Sequence, residues 1–289
     1  MKRISVLLTV ALTFLMSHLS YCQGLIKYET VARSELRDYL GNRYGSGDFE
    51  KVSFTYNFAL AKNWRANIYA DYANMDNRGE AAEINDDKII NLGITFSHLR
   101  PLSEKWDMLI SAGGGIFSPL VGVSFRCMLG NGDLGFVCHI NDNFDLGGGL
   151  ALTNAYGIPM LMPTLYLGWH RDGRFRFNIS MADALSVKAS TRFGKMFELD
   201  LCAVEMSGIS AVRRNSKIYS QLMVRSYISP TLRLNESTCL FASIGGNWAR
   251  SVCETDRSLK AFFKAFGEEH KSKDFRPALM LAGGVKWRF

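Results

Sequence analysis

Alternation with a period of two runs through most of the chain, and no other feature narrows its fold so far. Between positions 52 and 60, Val52, Phe54, Tyr56, Phe58 and Leu60 fall on one face, while Ser53, Thr55, Asn57 and Ala59 fall on the other. Trp64, Ala66, Ile68, Ala70 and Tyr72 oppose Arg65, Asn67, Tyr69 and Asp71 in the same way. Further along, Ile90, Leu92, Ile94 and Phe96 oppose Asn91, Gly93, Thr95 and Ser97. Ten segments read like this up to the last, where Leu279, Leu281, Val285, Trp287 and Phe289 oppose Met280, Ala282, Lys286 and Arg288. Successive side chains of a strand point to opposite sides, so each segment predicts a β-strand with one apolar and one polar face.

Short connections at 61–63, 100–105, 141–143, 171–173, 194 and 235–237 alternate with longer ones at 73–88, 117–120, 206–216 and 251–276. That pattern predicts an antiparallel up-and-down meander. The segments number fourteen if 121–140 is one long strand bulged at Gly130-Asn131-Gly132-Asp133; twelve strands would also suit the length.

The apolar faces meet either another protein layer, as in a sandwich, or lipid, as in a membrane barrel. Composition narrows the choice only a little. A chain that is 47% hydrophobic and 21% charged is not disordered. No stretch reaches the ~18 continuous apolar residues that a membrane-crossing helix needs. Aromatic placement decides. Phe58, Trp64, Trp106, Phe144, Trp169, Phe175, Phe193, Phe197, Trp287 and Phe289 lie on the apolar face beside the short turns, together with Leu60. A core would scatter such rings along its depth, whereas a membrane–water interface gathers them at one level. The expected fold is all-β: a closed antiparallel transmembrane barrel of twelve to fourteen strands, with short periplasmic turns and longer extracellular loops. Closure leaves no strand edge unpaired in lipid.

The first 22 residues read as a secretory leader. Met1-Lys2-Arg3 is positive, Ile4 to Met16 is apolar but too short to span, and Ser20 and Cys22 stand at −3 and −1 of a cut before Gln23. The competing reading is a lipoprotein leader acylated at Cys22, although Tyr21 stands where that leader has a small residue. Loss of Lys2 and Arg3 lowers the net charge from +7 to +5. The domain reading is therefore a leader at 1–22 and a barrel at 23–289. Five cysteines follow the leader: Cys127, Cys138, Cys202, Cys239 and Cys253. Their odd number and irregular spacing give no disulfide framework and no metal motif.

With these features the chain resembles bacterial outer-membrane β-barrels. Val285-Lys286-Trp287-Arg288-Phe289 is similar to the terminal strand read by the barrel-assembly machinery, with Trp287 and Phe289 matching the alternating, aromatic-ended pattern. The tract from Phe144-Asp145-Leu146-Gly147-Gly148 through Pro159 to Trp169 resembles uncharacterised single-barrel families of Gram-negative bacteria. The resemblance implies export, the outer membrane, a lipid bilayer as solvent, and periplasmic chaperones and the assembly machinery as partners. It implies no activity.

Candidate lumen-lining residues on the polar faces are Arg65, Asp71, Asp107, Arg174, Arg176, Lys188, Arg192, Glu198, Asp200, Arg225, Arg233, Lys286 and Arg288. They describe either a water-filled channel that favours anions or an interior packed with paired charges. The roles open to such a chain are transport or envelope structure, with a membrane-embedded enzyme acting on lipid or peptide as the alternative. No catalytic pair, cofactor motif, metal-ligand spacing or nucleic-acid signature stands out. The paired carboxylates Glu198 and Asp200 face arginines, which makes an ion-pair network. Leu259, Phe262, Phe263 and Phe266 share one helical face in the last long connection and predict a loop helix at the outer mouth.

Overall fold

The computed structural model describes residues 22–153, 160–171, 173–181, 185–257 and 273–288. The leader up to residue 21, the loop helix at Leu259, Phe262, Phe263 and Phe266, and the terminal Phe289 lie outside the described residues.

One antiparallel sheet holds every strand among the described residues. It begins with β1 (Cys22–Arg37), β2 (Arg43–Ala61) and β3 (Trp64–Asn74). A loop with the two-residue β4 (Asn77–Arg78) and the single-turn α1 (Ala81–Ile84) leads to β5 (Lys88–Pro101) and β6 (Trp106–Pro119). A 3-10 turn (Phe125–Cys127) precedes β7 (Met128–Asn141), and β8 (Phe144–Thr153), β9 (Met160–Arg171), β10 (Phe175–Ser180) and β11 (Leu185–Phe193) follow. The longest strands come next, β12 (Phe197–Val212), β13 (Lys217–Arg233) and β14 (Thr238–Asp256), and then β15 (Lys273–Phe275) and β16 (Ala278–Arg288). The two- and three-residue β4 and β15 only clip the rim, so the wall has fourteen strands. β1 pairs with both β2 and β16, which closes the cylinder. No described helix is long and apolar enough to cross a membrane; the crossings are strands.

Register decides which rows meet lipid. Ile26, Val52, Ile68, Ile94, Leu134, Leu150, Leu165, Leu201, Ile228, Ile244 and Leu281 all project outward and are exposed. Their polar neighbours project inward. Leu60, Trp64, Trp106, Trp169, Phe175, Phe193 and Phe197 are exposed at the turn end, and Tyr28, Tyr72 and Trp248 nearer the loop end. An apolar exterior around a polar interior is the inverse of a soluble barrel and matches a bilayer. Turns at this end are tight: Asn63 and Gly194 both adopt φ 65, a region that asparagine and glycine tolerate.

Three expectations need correction. Segment 121–140 is not one bulged strand: 121–127 is loop and 3-10 turn, and β7 pairs with β6 in unbroken register from Met128 to Cys138. The change of phase read at Gly130 arises because Leu129 is an apolar residue facing inward, where it packs with Phe117, Cys127, Val212 and Ile218. The expected connection 206–216 is mostly strand, since β12 runs to Val212, and β14 likewise runs to Asp256. Register breaks sit elsewhere: near the strand ends at Val31/Ser34, Glu35/Arg37, Ala59/Ala61 and His139/Asn141, and three more within the wall. β11, β12, β13 and β14 break register at Val187/Lys188, Cys202/Glu205 and Val224/Arg225. Each of these three lies beside a charged residue, and the bulges re-aim the following side chains.

The loop-end half of the barrel is filled. β11 stops pairing with β12 at Met206, and beyond it the β12–β13 hairpin reaches β5 and β6. Ile209, Ser210, Ala211 and Val212 are all buried, so this strand end is covered on both faces. One face joins Val31, Phe49, Met75, Ala81, Tyr219 and Phe275 in the main apolar cluster. The other meets Phe117, Cys127 and Leu129.

Candidate functional site in the lumen

The lumen divides along its length into a clasp, a charged crossbar and an open vestibule. The clasp is at the loop end. Arg213, in the β12–β13 turn, donates from Nε to Asp86 Oδ2 at 3.0 Å, from Nη2 to the Ile84 carbonyl at 2.7 Å and from Nη1 to Glu254 Oε2 at 2.5 Å. Its guanidinium lies 4.7 Å from the Tyr219 ring centroid. Tyr219 Oη donates to Asn85 Oδ1 at 2.9 Å. These contacts fix the α1 loop in the mouth. Burial pushes the Asp86 carboxyl up, although Arg213 donates to it. Arg250 anchors the same loop end from β14: its nitrogens donate to the Gly47 and Asp48 carbonyls at 2.7 and 2.8 Å, with Phe275 stacked at 3.6 Å.

Beneath the clasp, charges cross the barrel from β1 to β11. Lys27 Nζ lies 2.6 Å from Glu29, Arg225 donates to Glu29 and to Ser207, and Arg225 lies 3.5 Å from Glu205. Lys188 Nζ is 2.8 Å from Glu205, and Tyr227 Oη donates to it at 2.9 Å. Arg225 and Glu29 are essentially inaccessible to solvent. The bulges beside Lys188, Glu205 and Arg225 turn all three toward this level. Buried charges persist only when paired and hydrogen-bonded.

The turn end is the more exposed part. Arg176 donates to Glu198 Oε1, Arg233 Nη2 donates to Oε2 at 2.9 Å, and Arg192 Nε lies 3.8 Å away. On the opposite wall, His139 stands between two carboxylates, with Nδ1 2.7 Å from Asp145 and Nε2 3.1 Å from Asp107. A doubly protonated ring donates to both. With both nitrogens engaged, His139 has none left to take a proton from a nucleophile. A cavity of 330 Å³ opens beside β1, β2, β3 and β16, lined by Gln23, Asn57, Asn63, Arg65 and Arg288 among others.

Of the residues singled out from sequence, register places Arg65, Asp71, Asp107, Arg176, Lys188, Arg192, Glu198, Asp200, Arg225, Arg233, Lys286 and Arg288 on the inward rows. Arg174 departs from them: it sits in a turn, its guanidinium 5.5 Å from the centroid of the outward Phe175 ring. Alternation continued one residue too far there. Lys27, Glu29, Glu205, Arg250 and His139 belong to the interior and were missed. Lys27 and Glu29 alternate with Ile26 and Tyr28 and were legible from parity; Glu205 and Arg250 follow bulges that invert parity. The five cysteines are free, and no described group of His, Cys, Asp and Glu suits a metal ion.

The family model described as a domain of unknown function (DUF6268) matches residues 18–288. No curated protein matches the sequence. Similar solved structures include a bacterial polysaccharide outer membrane secretin, at 12% identity and TM-score 0.44, covering 93% of this chain and 98% of that one. A Pseudomonas aeruginosa FadL homologue gives 10% identity, TM-score 0.45 and coverage of 93% and 90%. The P. putida toluene transporter TodX gives 9% identity, TM-score 0.44 and coverage of 95% and 91%.

Proposed function

From a chain that belongs to the DUF6268 family of domains of unknown function and folds as a membrane-spanning barrel, we propose a transport protein of the Gram-negative outer membrane. In this reading residues 1–22 direct export, residues 23–289 form the mature barrel, and Trp287 and Phe289 carry the assembly signal. The turn end faces the periplasm and the loop end faces outward. The passage is closed at rest by the chain's own α1 loop and β12–β13 hairpin, and its vestibule has a positive bias that concentrates anions.

The observation that carries this reading is the asymmetry of the lumen. The loop end is packed and held by one arginine clasp, while the turn end is open and lined with charge. A purely structural barrel has no need of an open, charge-lined half. A general pore has no plug.

The test is single-channel recording in planar bilayers. The wild-type chain is expected to stay mostly closed, with brief anion-selective openings. Arg213→Ala, or replacement of residues 77–85 by a short Gly-Ser link, is expected to raise open probability at least tenfold. A wild type that is fully open, or variants as closed as the wild type, would sink the proposal.

A further inference from the structure

We infer that the turn-end vestibule holds a binding site for a doubly charged oxyanion, a phosphate or phosphate monoester, made by Arg176, Arg192 and Arg233. The inference rests on the transport reading above and supplies its substrate class.

Three guanidiniums surround one carboxylate, Glu198, and leave two positive charges without a counterpart. Asp200 is the other carboxylate on this face of β12, but the salt bridges of all three arginines go to Glu198. The excess therefore stays with the arginines. Exposure is graded in the way a site requires. The Glu198 side chain is 8% exposed, whereas those of Arg176, Arg192 and Arg233 are 51%, 36% and 31% exposed. Glu198 is thus a buried carboxylate shared by three side chains from β10, β11 and β13, and it competes with any bound anion for their donors. Each guanidinium has five N–H donors and spends few of them on Glu198. The Nε groups of Arg192 and Arg233 are buried and make no hydrogen bond.

A purely structural network would match charge for charge. This one is overcharged by two and open to water. Forked donors suit tetrahedral and planar oxyanions, which accept paired hydrogen bonds, better than they suit halide. A dianion restores neutrality where a monoanion does not.

The experiment is calorimetric titration of the full mature chain, refolded in detergent micelles at low salt, with inorganic phosphate against chloride. Heat-modifiable gel migration certifies the fold of every variant. The wild type should bind one phosphate saturably, and more weakly as salt rises. Arg192→Gln with Arg233→Gln should weaken binding at least tenfold. Glu198→Gln removes the competing carboxylate and should tighten it severalfold. Absence of saturable phosphate binding in correctly folded wild type, equal binding by the double variant, or weaker binding in Glu198→Gln would each overturn the site. No current is measured, so the two proposals fail separately. Binding without conductance discards transport and keeps the site; conductance without binding does the reverse.

Discussion

Arg225 is the residue on which the interior turns. It lies 2% exposed between Glu29 and Glu205, too buried for bulk solvent to replace a lost partner. Removing one member of a buried pair leaves the other charge desolvated, which costs about 3–5 kcal/mol. Arg225→Ala should therefore lower stability by that amount in urea unfolding of the micelle-bound barrel. Lys217→Ala, whose amine reaches Glu254 at the exposed rim, should cost far less, because solvent screens that pair. Similar losses in the two variants would show that the crossbar is hydrated.

At the scale of elements, the loop-end turns carry their own titration. The Asp38 carboxylate caps its turn by accepting from the Leu40 and Asn42 backbone N–H groups at 2.9 Å and from the Asn42 side chain at 2.9 Å. The Asn42 side chain is the main reason its carboxyl sits below the usual range. A hydrogen bond from Arg33 does the same for Asp76. A depressed folded pKa gives stability that is complete above the unfolded value, about 3.9, and is lost as pH falls through the lower folded value. Hydrogen exchange at 38–42 and 75–78 should stay flat from pH 8 to 5, once corrected for intrinsic rates, and rise only below about pH 4. Opening between pH 5 and 7 would contradict this origin.

Strand identity was legible at this scale because Trp64–Tyr72 or Ile90–Phe96 keep one phase from end to end. The fold of the β12–β13 hairpin was not. Leu129 is apolar and faces inward, and Val212 and Ile218 sit on the back of a hairpin end that packs against Phe117 and Leu129; in sequence none of the three can be told from apolar residues facing lipid. The His139 bridge was hidden for another reason: Asp107 lies 32 positions away, and only the pairing of β6 with β7 brings it close.

For the molecule as a whole, everything rests on the outer surface. A charge placed on a lipid-facing row at mid-depth costs about 2–4 kcal/mol. Leu165→Arg should destabilise the barrel by that much in vesicles, while Thr164→Arg, one residue away and inward, should be limited by packing alone. The most direct measurement uses nitroxide labels at 164 and 165 in a cysteine-free chain reconstituted in lipid vesicles. The label at 165 should collide with oxygen and be shielded from a water-soluble nickel chelate. The label at 164 should lack that lipid signature. Equal profiles at the two positions, or chelate contact at 165, would mean that the apolar rows do not face lipid.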